Sequence, residues 1–170
     1  MLILCGITMR NNQLKWCLRL KDGLKIVEPS ERLTKTYLNE AKLSLERAEK
    51  NFIDGDLLWT TVVIYYAEYY ALYSFLQRIG IKCENHFCSI LAVSILLGED
   101  KTHIINQHKE KRIDALYYMR IGRKDEVEKM IQEAKIFVST LDNIISNLTD
   151  YDIKLYRERI NLKKPEKSPS

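Results

Sequence analysis

The stretch from Asp56 to Gly80 constrains the fold more than any other part of this 170-residue chain. Between Leu57 and Leu76 it contains one formal charge, that of Glu68, and it is apolar in every direction around a helical axis. Because the stretch is also too long for a strand, the pattern predicts a buried helix. Asp56 is its expected N-cap, and Gly80 stands where a left-handed residue commonly ends a helix.

A membrane span is the alternative interpretation of this helix, because about 20 apolar residues suffice to cross a bilayer. Glu68 near the centre would cost roughly 2.5–3.5 kcal/mol there, and tyrosines normally sit at the membrane edges. Here tyrosines are spread through the segment, and the neighbouring segments are amphipathic enough to cover it. We therefore expect a soluble protein with no membrane partner.

The bulk composition favours helices and gives no general case for nucleic-acid binding. Glycine and proline are few, 6 and 3, which is typical of long helices. The net charge of +4 lies in residues 154–170, which hold six basic and two acidic side chains, while the rest of the chain is formally neutral. Residues 101–124 are locally basic, but their interleaved acids are typical of a solvated face.

The four cysteines do not predict a disulfide framework in a chain of this length, so we expect small buried or half-buried thiols. The spacing Cys83-x2-His86-x-Cys88 fits no common zinc site, and we predict no metal and no cofactor. The apolar start, Met1–Gly6, is too short for a signal peptide, so the expected location is the cytoplasm.

The remaining pattern predicts an all-α, antiparallel up-and-down bundle of four to five helices. Ser30 is the expected N-cap of a helix that ends at Asp54-Gly55, and the short link makes it antiparallel to the central helix. Further helices are predicted over about 88–97, 101–121 and 127–148. We divide the chain into a short irregular N-terminal arm of residues 1–29 anchored by Trp16, a bundle of residues 30–150 and a basic, disordered tail of residues 151–170.

Several segments, taken in order, resemble small prokaryotic HEPN proteins of the archaeal type. The run Tyr65–Tyr73, YYAEYYALY, followed by Gly80–His86, GIKCENH, is similar to their second helix and the loop after it. Arg112–Tyr117, RIDALY, resembles the family's R-x-x-A-D-Y segment, and Trp16–Glu31 resembles the lead-in of archaeal members.

This resemblance implies a homodimeric bundle. Many HEPN proteins are encoded beside a minimal nucleotidyltransferase as toxin and antitoxin, and several are metal-independent ribonucleases that use an R-x4–6-H motif at a dimer cleft. No arginine of this chain has a histidine five to seven residues downstream, and Tyr117 stands where that histidine is expected after Arg112. We therefore expect a module that binds RNA or a nucleotide, or partners a nucleotidyltransferase, without robust catalysis.

A diverged ribonuclease that uses Arg112 and His108 is the alternative function. The two residues lie four apart and share a helix face, where an imidazole could move a proton and a cation could stabilise phosphorane charge. The opposing interpretation makes His108 a solvated or capping residue and pairs Arg112 with Glu68 or Asp114. An isolated carboxylate in an apolar helix has to be paired, protonated or at an interface, and Arg112 is the partner that we predict for Glu68.

Two further groups of side chains complete the predicted sites. His86 is expected to hydrogen-bond a helix end, and Tyr117 and Tyr118 lie near the tyrosine that partner nucleotidyltransferases adenylylate in relatives. The predicted polar cluster consists of Glu68, Asp114, Tyr117, Tyr118, His86 and Lys82. The tyrosines of the central helix are expected in the core or a dimer interface, and they are Tyr65, Tyr66, Tyr69, Tyr70 and Tyr73.

Overall fold

The structure, a computed structural model, describes residues 2–161, with side chains for residues 11–160. Over this range the fold is all-α, as predicted, with one two-stranded sheet. The strands are β1 (Lys25–Ile26) and β2 (Ile81–Lys82). The helices are α1 (Leu2–Arg19), α2 (Glu31–Ile53), α3 (Leu57–Arg78), α4 (His86–Leu97), α5 (His103–Tyr118), α6 (Lys124–Asn147) and α7 (Asp150–Asn161).

Helix α3 is the buried centre of the bundle and contacts α2, α4, α5 and α6. The side chain of Asp56 accepts a hydrogen bond from the Trp59 amide, which confirms the predicted N-cap. Gly80 has a φ of 69°, in the left-handed region that was expected of it. No helix among residues 2–161 is long and apolar enough to span a membrane.

Helix α2 lies against α3 and is joined to it by a tight turn, as the sequence predicts. The Ser30 side chain caps α2 by accepting from the Leu33 amide. Deeper in the interface, the Ser74 hydroxyl donates to the Thr34 carbonyl over 2.8 Å. This bond satisfies a buried hydroxyl and fixes the register of the two helices.

The N-terminal arm differs from its prediction in two respects. Residues 2–19 form a helix, and Trp16 is no anchor, since 48% of its surface is exposed. Leu14 and Cys17 are fully buried instead, and Cys17 forms a disulfide with Cys88 of α4. The prediction of free thiols is therefore wrong for this pair, because the fold brings together two cysteines 71 residues apart. Cys83 is a buried free thiol.

The predicted tail is also partly helical. Residues 150–161 form α7, and its Ile153 and Ile160 are buried in the main core, which provides the apolar contacts that a disordered segment would lack. The Arg157 guanidinium donates to the carbonyls of Val27, Ile79 and Gly80, so α7 closes over the junction of the sheet and α3. Residues 162–170 of the predicted tail lie outside the described part of the chain.

Candidate functional site

A chain of three hydrogen-bonded ionisable side chains crosses the interior of the bundle. Nδ1 of His108 on α5 lies 2.7 Å from Oε1 of Glu68 on α3, and its Nε2 lies 3.2 Å from Oε2 of Glu133 on α6. Glu68 is fully buried and His108 is 2% exposed, while Glu133 reaches the surface. Arg112 is thus not the partner of Glu68, and His108 is neither solvated nor a cap.

Burial changes the pKa values of Glu68 and His108 in this row of hydrogen-bonded side chains. Burial raises the pKa of Glu68, and the hydrogen bond with His108 opposes that shift without cancelling it. Burial on its own lowers the pKa of His108, but the two carboxylates outweigh it, so the pKa of His108 is raised. Both pKa shifts are upward, so each favours the protonated form of its group relative to an exposed side chain. The second oxygen of Glu68 is buried with no hydrogen-bond partner in the described part of the protein.

A pocket of about 460 Å³ lies between α5 and α6, beside the hydrogen-bonded side chains of His108 and Glu133. His108 and Glu133 form part of its wall, and Asp114, which was predicted to belong to the polar cluster, also lines it. Lys129 pairs with Glu133 at the rim over 3.4 Å. With both ring nitrogens bonded to carboxylates, His108 is occupied in holding α3, α5 and α6 together.

Arg112 belongs to a different cluster, on the tyrosines of α3. Its Nη2 donates to the Tyr66 hydroxyl over 3.1 Å, and its guanidinium carbon lies 5.6 Å from the ring centroids of both Tyr65 and Tyr66. At such distances the ring faces attract the cation. Nε of Arg112 is buried without a hydrogen-bond partner in the described residues. Arg112 thus keeps a donor that no group in the described part of the protein uses.

Through its imidazole, His86 contacts the same two tyrosines as Arg112. It is the first residue of α4, its Nδ1 lies 2.7 Å from the Tyr65 hydroxyl, and its ring stacks on Tyr69 with centroids 3.8 Å apart. Burial, followed by the charges of Arg112 and Lys109, lowers the pKa of His86. A half-buried histidine with a lowered pKa is neutral at pH 7 and able to accept a proton. The expected role at a helix end is filled by Asn85, whose side chain caps α4.

The family of the chain can be assigned from its sequence. The HEPN domain family matches residues 34–144, which is more than half of the chain. The chain belongs to the HEPN domain family. No curated protein and no solved structure matches it. HEPN domains are helical modules with roles related to nucleotides and RNA, and they commonly dimerise.

The HEPN match contains both clusters just described. Glu68 and His86 come from its α3 and α4, and His108 and Arg112 come from its α5. Helices α1 and α7 lie outside the match, so Cys17 of the disulfide and Arg157 with its carbonyl contacts are not part of the matched segment.

The tyrosines proposed for a dimer interface are divided between the inside and the outside of the HEPN bundle. Tyr65, Tyr69 and Tyr73 are buried within one copy, so their role in this structure is in the core. Tyr66 and Tyr70 are partly exposed and remain candidates for contact with a second copy. A dimer interface built from all five tyrosines is therefore not available in this conformation.

The remaining predicted residues lie apart from both clusters. Lys82 is on β2, exposed and paired with Glu84 over 2.9 Å. Tyr117 and Tyr118 end α5 with 70% and 63% of their surface exposed, and Arg120 lies over the Tyr118 ring. The predicted polar cluster thus separates into a buried chain, the Arg112–His86 cluster and an exposed end of α5.

Glu133 is a member of the buried chain that sequence reasoning missed. It lies three residues after Met130 and four before Phe137, both of which are buried on the inner face of α6. A carboxylate on the apolar face of an amphipathic helix was therefore visible in the sequence. That signal could have identified His108 as the hydrogen-bond partner that Glu68 and Glu133 share.

Proposed function

We propose that this HEPN chain binds RNA or a nucleotide through the Arg112–His86 cluster, as a homodimer and as the partner of a minimal nucleotidyltransferase in the cytoplasm. The observation that best supports this binding function is the set of contacts that Arg112 makes. Its guanidinium is held against the Tyr65 and Tyr66 rings, while its buried Nε donor has no hydrogen-bond partner among the described side chains.

A phosphate is the ligand that fits such a guanidinium, because its planar fork of donors matches phosphate oxygens. The ring of the partly exposed Tyr66 offers a face for stacking of a base, which is typical of sites for single-stranded nucleic acid. Lys109, whose charge acts on His86, adds a second cation nearby. These groups together favour a nucleotide or single-stranded RNA over an uncharged ligand.

The proposed dimer and nucleotidyltransferase rest on different supports. Tyr66 and Tyr70 are partly exposed aromatics beside Arg112, and a second copy packed on them would bring two such clusters together. For the nucleotidyltransferase, the resemblance suggests adenylylation near the end of α5, and the exposure of Tyr117 and Tyr118 is compatible with access by a partner enzyme. Incubation with such an enzyme and ATP, followed by peptide mass spectrometry, would reveal AMP on either tyrosine.

Binding of a fluorescent single-stranded RNA in EDTA, followed by anisotropy, tests the main proposal. Arg112→Ala should weaken binding about tenfold or more, which corresponds to about 1.4 kcal/mol. Arg123→Ala is the matched control, because Arg123 is exposed and pairs with Asp125 over 2.9 Å. Equal affinities of the two variants would contradict a site at Arg112.

A diverged metal-independent ribonuclease is the second candidate function, and the structure favours His86 over His108 for it. His108 is buried with both nitrogens bonded, whereas His86 is half-buried with a lowered pKa and lies in the cluster of Arg112. His86 would take the proton of an attacking 2′-hydroxyl, and Arg112 would stabilise the charge on phosphorus. Cleavage of RNA in EDTA that is lost in His86→Ala and Arg112→Ala but kept in His108→Gln would support this function. Cleavage that depends on His108 and not on His86 would return the catalytic role to His108.

A further inference from the structure

The loop that carries His86 is held by the N-terminal arm. The carbonyl of Asp22 accepts hydrogen bonds from the amides of Glu84 and Asn85, over 2.9 and 3.1 Å. Strand β1 of the arm pairs with β2, which begins the same loop. Asn85 is the N-cap of α4 and immediately precedes His86, so these contacts determine where α4 begins and where the imidazole is placed.

A covalent bond joins the same two parts of the protein. Cys17 at the end of α1 is linked to Cys88, two residues after His86, and both cysteines are fully buried. The Cys17 carbonyl accepts from the Leu24 amide over 3.0 Å, which folds the arm back toward Asp22. Beside the disulfide, the Trp16 ring meets the edge of Phe87 with centroids 6.2 Å apart. The disulfide therefore fastens the arm to the first turn of α4.

We propose that the Cys17–Cys88 disulfide is a redox-controlled positioning bond, which holds His86 in the Arg112 cluster when it is oxidised and releases it when it is reduced. The part of this inference that concerns ligand binding rests on the proposed function. Cys17 lies outside the segment that matches the HEPN family, so the family match alone does not imply this control. In the cytoplasm, the location proposed above for this chain, a disulfide is generally transient or regulatory, because that compartment keeps thiols reduced.

The redox step involves two electrons and two protons. A dithiol reductant attacks one sulfur, the bond between the two Sγ atoms breaks, both cysteines become thiols, and the reductant closes to its own disulfide. Burial raises the pKa of Cys83, the free thiol among the described side chains, so it remains protonated and is a poor attacking group. Because both disulfide sulfurs are buried, the reductant gains access only when the arm opens.

NMR titration of the histidine side chains in the oxidised and dithiothreitol-reduced protein tests the inference directly. On reduction, the His86 resonances should shift and the pKa of His86 should move up toward its ordinary value, because looser packing reduces its burial. The resonances of His108 should not change, since its partners lie on α3 and α6. Thiol counting by mass spectrometry confirms the redox state. A His86 signal that is identical in the two states would overturn the inference.

Matched variants separate the disulfide from other effects of the reductant. Cys17→Ser/Cys88→Ser should resemble the reduced protein and respond no further to dithiothreitol, while Cys83→Ser should respond like the wild type. If the double variant does not fold, the wild-type titration with and without reductant still tests the inference.

In the RNA assay, the oxidised protein should bind RNA about fivefold or more tightly than the reduced protein, roughly a 1 kcal/mol difference. Absence of binding in both states, with a redox-dependent His86 signal, would count against the proposed function and leave the positioning role supported.

Discussion

Nδ1 of His108 lies 2.7 Å from Oε1 of Glu68, and the two side chains are among the most buried ionisable groups in the described part of the chain. The pair joins α5 to α3, and Glu133 extends the connection to α6. One imidazole thus joins carboxylates that lie 40 and 25 residues away from it in the sequence. The main consequence concerns stability, because removal of His108 would leave the Glu68 carboxyl buried without a hydrogen-bond partner among the described residues.

His108→Ala should lower the free energy of unfolding by about 3–5 kcal/mol at pH 7, since it leaves the Glu68 carboxyl buried without its partner. Urea unfolding followed by circular dichroism measures this change. Glu128→Ala, an exposed glutamate of α6, is the control and should alter stability by no more than about 0.5 kcal/mol. A loss below about 1 kcal/mol in His108→Ala would show that the pair contributes little.

The pH dependence of stability should also reveal the buried pair. The pKa of His108 is raised above its ordinary value of 6.5, so the folded protein binds more protons than the unfolded chain just above that pH. Stability should therefore fall as the pH rises through the interval above 6.5, where the folded protein loses the proton that its raised pKa retains. The raised pKa of Glu68, whose ordinary value is 4.5, acts in the same direction.

Thermal unfolding across this interval checks the sign of the effect. Glu68→Gln/His108→Gln removes both titrating groups and should give a flatter profile than the wild type. His103→Gln, which changes an exposed histidine at the start of α5, should keep the wild-type slope. A double variant that loses stability with pH as steeply as the wild type would refute this explanation.

Arg112→Gln should raise the pKa of His86, because the charge of Arg112 is, after burial, the largest cause of its lowering. Histidine NMR titration of the folded variant measures the shift. Arg120→Gln is a suitable comparison, since Arg120 lies over Tyr118 at the other end of α5. If both variants leave the His86 titration unchanged, the electrostatic contact between Arg112 and His86 is not significant in solution.

Gly80→Ala should destabilise the protein far more than Gly55→Ala. Both glycines have positive φ, 69° and 82°, so each substitution costs about 1–2 kcal/mol in backbone conformation. A Cβ at position 80 would also collide with the Arg157 guanidinium and stand 2.5 Å from the Val27 carbonyl oxygen, whereas at position 55 it meets nothing within 4 Å. We expect a further loss of about 1–3 kcal/mol at position 80. Equal urea midpoints for the two variants would contradict this close packing.

The sequence predicted the elements whose signals are local. Asp56 and Ser30 identified the starts of α3 and α2, and the uncharged run around Glu68 identified the buried centre. Helix α7 was missed because Ile153, Tyr156 and Ile160 are separated by charged residues, although their spacing of three and four is helical.

The candidate site was harder to predict, because its contacts depend on how the helices are positioned against one another. Arg112 and His108 share one face of α5, and the sequence could not decide which of them would meet Glu68. The two side chains stand about one turn apart on that face, so the position of α5 along α3 decides the pairing. The structure pairs His108 with Glu68 and Arg112 with Tyr66. The Cys17–Cys88 disulfide was missed for the same reason, since pairing depends on a three-dimensional approach that spacing does not reveal.

The single side chain of Arg157 bridges two segments that are far apart in the sequence, at Val27 just after β1 and at Gly80 just after α3. Neither Val27 nor Arg157 belongs to the segment shared with the HEPN family. A fragment limited to that shared segment would expose the C-terminal end of its own central helix, α3, to water. The smallest piece of this protein that folds independently is therefore expected to be longer than its family signature.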